Sequence, residues 1–149
     1  MDNPGPAFPR TQFFGRVGNM KTYALRLHPG QGLREGIESF IKEKGIKAGV
    51  VITCVGNLKK AVLRMAGAKT VKTYEEDVFE IVSLVGTVGK GGSHLHCAIS
   101  DKDGSVFGGH LKEESLVGFT AEVAIGEFEG MTFKRELDDD TGFEELVIE

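Results

Sequence analysis

Three of the four histidines in this 149-residue sequence fall in one stretch, GGSHLHCAISDKDGSVFGGHL, from Gly91 to Leu111. A neutral imidazole nitrogen is a good ligand for zinc and related divalent ions. Three around one point would hold such an ion and leave a fourth position open for water or a carbonyl oxygen. Whether they meet depends on the elements that carry them. On a strand, residues two apart share a face, so His94 and His96 project together while Leu95, Cys97 and Ile99 project the other way. Asp101-Lys102-Asp103-Gly104 is a hairpin signal, with a three-residue loop that puts Gly104 where a left-handed conformation is needed. That loop sets His96 opposite His110, Ile99 opposite Phe107 and Leu95 opposite Leu111. A slip of one residue would mix histidines with leucines on the buried face, so the apolar residues choose the register and the register gathers the histidines. Directly opposed Cβ atoms then lie about 4.5–5.5 Å apart, a span imidazoles can close onto one ion. Cys97 points to the apolar side and is excluded as a ligand. The same spacing also suits three solvated histidines on an exposed hairpin, so both readings stand at this point.

A metal-assisted reaction needs a group to move a proton and another to hold the substrate. Glu80 in VFEIV and Glu122 in TAEVA are the carboxylate candidates, each in an apolar strand context where an acid lies on the solvated face or in a pocket. Arg135 in FKREL is the candidate for an anionic substrate group, its alternative being a surface ion pair with Glu136 or Asp138. GTVGKGGS fits neither the dinucleotide-binding nor the P-loop pattern and reads as a glycine-lined turn. Cys54, in an apolar run, reads as a core cysteine.

These residues must be positioned by the rest of the chain. Residues 1–20 carry three prolines and no sustained period, and read as an extended arm; residues 21–149 read as one domain. KTYALRLH alternates as a half-buried strand. In LREGIESFIKEKG, Leu33, Ile37, Phe40 and Ile41 form a helical apolar stripe that ends at Gly45. AGVVITCVGNLKKAVLRMA reads as two strands joined by a turn at Gly56-Asn57. TVKTYEEDVFEIVSLVGTVG gives strand sequence around a polar break, and SLVGFTAEVAIGEFEG, MTFKREL and the end of DDDTGFEELVIE supply the remaining strands. One principal helix and seven to nine strands define an α+β fold with a mainly antiparallel twisted sheet.

Composition sets outer bounds. A net charge of −4 and 27% charged residues give no global field to attract nucleic acid, and no local basic patch is evident. No membrane-length apolar segment or signal-peptide core is seen, and both cysteines lie in apolar runs. The expectation is a reducing intracellular compartment, cytoplasmic or nuclear, with no membrane partner.

The histidine stretch, together with VVITCVGNLKKAVLR, FEIVSLVGTV and AEVAIGEFEGMTFKRELDDDTGFEELVI, resembles the plants-and-prokaryotes conserved (PPC) domain family over about residues 20–149. The resemblance implies an α+β fold that assembles as a homotrimer. It also implies a structural relationship to acetolactate decarboxylase, where an H-x-H pair and a third histidine hold a catalytic zinc. On that basis His94, His96 and His110 take the ligand roles, for Zn2+ or another divalent transition metal, and a zinc-dependent lyase or hydrolase acting on a small carbonyl or oxoacid becomes the leading expectation. A trimeric binding or scaffolding module is the alternative. Plant members couple the domain to AT-hooks, and prokaryotic members are often labelled DNA-binding. The Arg-Gly-Arg-Pro core of the AT-hook is missing here, so no nucleic-acid partner is expected.

Overall fold

The structure is a computed structural model that describes residues 19–75 and 77–149; the expected arm lies, but for its last two residues, outside the described residues. In chain order the elements are β1 (Met20–Leu27), α1 (Leu33–Lys44), β2 (Ala48–Arg64), β3 (Val71–Tyr74), β4 (Phe79–Gly89), β5 (Gly92–Ser100), β6 (Val106–Leu111), β7 (Leu116–Phe128), β8 (Phe133–Leu137) and β9 (Glu144–Ile148). Every strand pairing is antiparallel. The fold is α+β, a single small domain with one helix.

The seven-stranded sheet runs β1-β7-β2-β4-β5-β6, with β3 beside the end of β2. It does not lie flat. Strand β6 turns back to pair with the end of β2, Leu63 opposite Leu111 and Arg64 opposite His110, so β2, β4, β5 and β6 form a closed circuit. Strands β8 and β9 make a separate hairpin, docked where the Gly91 N–H donates to the Phe133 carbonyl at 3.0 Å.

Alternation along the strands determines which face is buried. Leu95, Cys97 and Ile99 of β5, Leu111 of β6, Leu63 of β2 and Leu84 of β4 all point inward. Helix α1 closes this core with Leu33, Ile37 and Ile41, the stripe legible in its sequence, and ends at Gly45 in the left-handed conformation.

One sequence expectation is corrected. The break at Gly56-Asn57 is absent, and Ala48–Arg64 is one 17-residue strand. Neighbours on both sides keep it one continuous strand, β7 along one edge, β4 and β3 along the other. Gly56, at φ 140°, marks a register shift against β7, and a Cβ there would sit 2.0 Å from the Thr120 carbonyl oxygen. Glycine serves close strand approach at this point, not chain reversal. Asn57 is buried, and its Oδ1 accepts the Phe119 N–H at 2.7 Å, supplying an acceptor where the ladder shifts. Replacing Asn57 with alanine should leave that donor unsatisfied and cost about 1–3 kcal/mol, read as a lower urea midpoint with an unchanged slope.

Candidate metal centre

The β5–β6 hairpin adopts the expected register, with His96 opposite His110 and Ile99 opposite Phe107. Its loop spans the three expected residues. Asp101 N–H donates to the Ser105 carbonyl, Gly104 N–H donates to the Asp101 carbonyl, and the Asp101 carboxylate accepts the N–H groups of Asp103 and Ser105 at 2.9 Å.

All three imidazoles therefore emerge on the face opposite the core. The ring centroids of His94 lie 5.0 Å from those of both His96 and His110, and His96 and His110 are 5.6 Å apart. One ring nitrogen from each residue falls within 4.8 Å of the others. The Nε2 atoms of His94 and His96 are 3.2 Å apart. Two nitrogens bound tetrahedrally to zinc at 2.0–2.1 Å would be about 3.3 Å apart, so this pair already has the required separation. The Nδ1 of His110 is buried with no hydrogen-bond partner among the described residues. A dry, unpaired nitrogen in a three-imidazole cluster fits a site built for a cation.

Electrostatics favour the neutral, ligating form of the rings. Burial pushes His110 down to about 4, helped by the Arg64 guanidinium and by the other two histidines. Burial also lowers His94, with Arg135 and His96 adding to the effect and Glu145 opposing it. In the unfolded chain both rings would titrate near the ordinary value of 6.5. The unfolded chain thus takes up protons first as pH falls. The metal-free protein should lose stability between about pH 6.5 and pH 4 and lose no more from these groups below that window. Thermal melts of chelator-treated protein across that range would check this, and a Tm independent of pH there would contradict it.

The structure also places the other candidates. Arg135 reaches the cluster: its guanidinium donates to Thr87 Oγ1 at 2.6 Å, and Thr87 is the residue opposite His94 in the β4–β5 ladder. Glu80 does not. It is exposed and sits opposite Ser100, seven positions along β4 from Thr87 or roughly 20 Å at strand spacing. Glu122, also exposed, is on β7, separated from β5 by β2 and β4. Neither carboxylate stands where it could move a proton at the cluster. Cys97 faces the core as expected, and burial pushes its thiol up to about 12 and that of Cys54 up to about 11. Both stay protonated and inert.

Sequence reasoning missed several groups at the site. A cleft of about 340 Å³ beside His94 and His110 is lined by Arg34, Arg64, Arg135, Lys112, Glu144 and Glu145, among others. Arg34 is ion-paired to Glu38 and Glu113, both at 2.9 Å. The Ser93 hydroxyl in turn donates to Glu38, which ties helix α1 to the residue before His94. Glu145, which accepts the Thr141 hydroxyl at 3.1 Å, places a carboxylate in this cleft, where neither Glu80 nor Glu122 stands. Nothing in the local sequence around Arg34 or Glu145 signals this, because α1 and β9 approach β5 only in the fold.

A small antiparallel α+β domain with an open three-histidine cluster on the outer face of a curled sheet is the class that fold and site together define. The family model for the Plants and Prokaryotes Conserved (PCC) domain matches residues 15–129, and the chain belongs to that family. It is 38% identical over 133 residues to the bifunctional protein GlmU of Synechococcus sp. (strain JA-3-3Ab), covering 89% of this chain but 21% of that protein, so it spans about a fifth of that relative's length. Among solved structures, a hypothetical protein from Salmonella superposes with a TM-score of 0.85 at 35% identity, covering 90% of this chain and 96% of the other. A metal-containing protein from Archaeoglobus fulgidus superposes with a TM-score of 0.75 at 30% identity, covering 92% and 99%. No helix among the described residues is long and apolar enough to cross a membrane.

Proposed function

We propose that this chain is a metal-binding domain in which His94, His96 and His110 hold one divalent transition metal ion, zinc fitting best, and that the site acts on a small carbonyl or oxoacid substrate as a lyase or hydrolase. The observation that carries the reading is the convergence of three ring nitrogens on one face, His94 and His96 already 3.2 Å apart. The metal-containing relative from Archaeoglobus supports it. Bound there, the ion would supply Lewis acidity toward a carbonyl oxygen or a water at its open position. The chain's own groups do the rest. Arg135 and Arg64 would orient an anionic substrate, and Glu145, lining the same cleft, would carry the proton.

The same reading includes assembly as a homotrimer. Support comes from the outer face of the sheet, where Val85, directly opposite His96, is 56% exposed, and Ile52, Val55 and Val82 on β2 and β4 are also more than half exposed. β-Branched residues on an uncovered sheet face suit burial against another copy. Light scattering of the purified chain should return three times the 16.1 kDa chain mass; a monomer would remove this part of the proposal. No nucleic-acid partner is proposed.

A diffraction map at the zinc absorption edge tests the centre. One anomalous peak bonded to all three histidines is expected, and a peak elsewhere, or none after zinc soaking, would overturn the assignment.

A further inference from the structure

We infer that the ligand of this site is a small organic acid with an uncharged tail, its acid group held by Arg64 and Arg135 and its tail seated in a separate pocket beside His96. The inference rests on the placement of the centre proposed above and adds the chemistry of what occupies it.

Two guanidinium groups bracket the histidines through the sheet register itself. Arg64 stands directly opposite His110 in the β2–β6 ladder. Arg135 is bonded to Thr87, which stands opposite His94. Neither has a carboxylate within 4.0 Å among the described residues, whereas Arg34 and Lys112 at the rim of the same cleft are both ion-paired. Arg64 instead lies over the Phe143 ring, 5.6 Å from its centroid, and Arg135 is half-buried with a hydroxyl as its hydrogen-bond partner. A guanidinium partly withdrawn from water and left unpaired beside a cleft is poised for a bidentate anion.

The other side of the cluster differs in character. A second pocket of about 460 Å³ shares Arg64, His110 and Phe143 with the first cleft, where Glu144 and Glu145 stand beside the arginines, but its remaining wall is His96 with Met65, Ala66, Ala68 and glycines including Gly108 and Gly109. Small and apolar groups bring no charge and leave room. Gly108 lies two residues before His110 on β6, hence on the same face. A side chain there would enter the pocket; its Cβ would meet Cys97 O at 3.3 Å, which needs only a small adjustment. A ligand centred over the histidines would thus have the charged cleft, with its two arginines free of close carboxylate partners among the described residues, on one side and an uncharged recess on the other.

Titration calorimetry on the full chain, metal-free and zinc-loaded, with acetate, butyrate, hexanoate and 1-hexanol as probes tests this. Affinity should rise along the acids by about fourfold per methylene until the tail outgrows the pocket. Hexanol should bind at least tenfold more weakly than hexanoate. Arg64→Gln and Arg135→Gln should each weaken hexanoate about tenfold or more. Gly108→Leu should flatten the chain-length series while acetate binding and zinc content hold. Ala66→Leu, an exposed position lining the same pocket, makes the same test should Gly108→Leu misfold. A flat series in the unmodified protein, hexanol equal to hexanoate, or a series unchanged by both pocket variants would overturn the inference. A protein that holds zinc yet ranks no acid refutes this inference alone. One that ranks the acids yet holds no zinc refutes the metal reading alone.

Discussion

His96→Ala should reduce bound zinc from about one ion per chain to near zero after dialysis against a weak chelator. Removing one of three protein ligands leaves a two-nitrogen site, and a loss of about 100- to 1,000-fold in affinity is expected from the per-ligand share of a zinc site's binding free energy. The fold should survive, because His96 is exposed and its neighbours Leu95 and Cys97 carry the packing. His28→Ala is the matched control. His28 is exposed in the turn after β1, its backbone N–H donating to Gln31 Oε1 and its carbonyl accepting the Gln31 N–H, while its imidazole makes no hydrogen bond among the described residues. Metal analysis of the two variants beside the unmodified protein decides the point, and equal zinc in all three would exclude the cluster.

The second large effect concerns what lies behind the histidines. Gly86 pairs with Leu95 at φ 151°, and a Cβ on it would fall 1.9 Å from the His94 carbonyl oxygen. Gly86→Ala must therefore push β5 away from β4 where His94 is held. Backbone strain and overpacking together predict a loss of about 3 kcal/mol or more, or roughly 10 °C in Tm. Zinc affinity should fall with it, because the displaced strand carries two of the ligands. Gly67→Ala separates the causes: Gly67 also has a positive φ, 79°, but a Cβ there would meet nothing within 4 Å. That variant should cost only about 1–2 kcal/mol, the penalty of a left-handed alanine. Comparable losses in the two variants would mean that β5 does not rest on Gly86 as described.

The histidine hairpin was legible because its information is local. Leu95, Cys97 and Ile99 alternate with the histidines, and a three-residue loop fixes which partner each meets, so burial of one face determines the contents of the other. The helix was legible for the same reason, from a stripe ending at a glycine. Strand β2 was misread because Gly-Asn serves both a hairpin turn and a bulge, and only the presence of β7 alongside tells them apart. The carboxylate candidates lie away from the cluster for a different reason. Glu80, Glu122 and Glu145 look alike in sequence, and which one reaches the cluster depends on strand order and on where the β8–β9 hairpin docks. Arg135 was singled out for a chemistry that suits an anion; that it sits against Thr87, beside the cluster, was not readable from FKREL. The arm proposed for residues 1–20 lies almost wholly outside the described residues.

The single long β2 strand has a bearing on how the polypeptide acquires its shape. It pairs with β3, β4, β6 and β7, and β1 finds its only ladder partner among the described residues in β7, about a hundred positions downstream. During synthesis the first half would leave the ribosome with its central strand unpartnered on one edge until residues 116–128 emerge. Such distant pairings make for slow, concerted refolding, on the order of milliseconds to seconds, and a truncated intermediate prone to self-association.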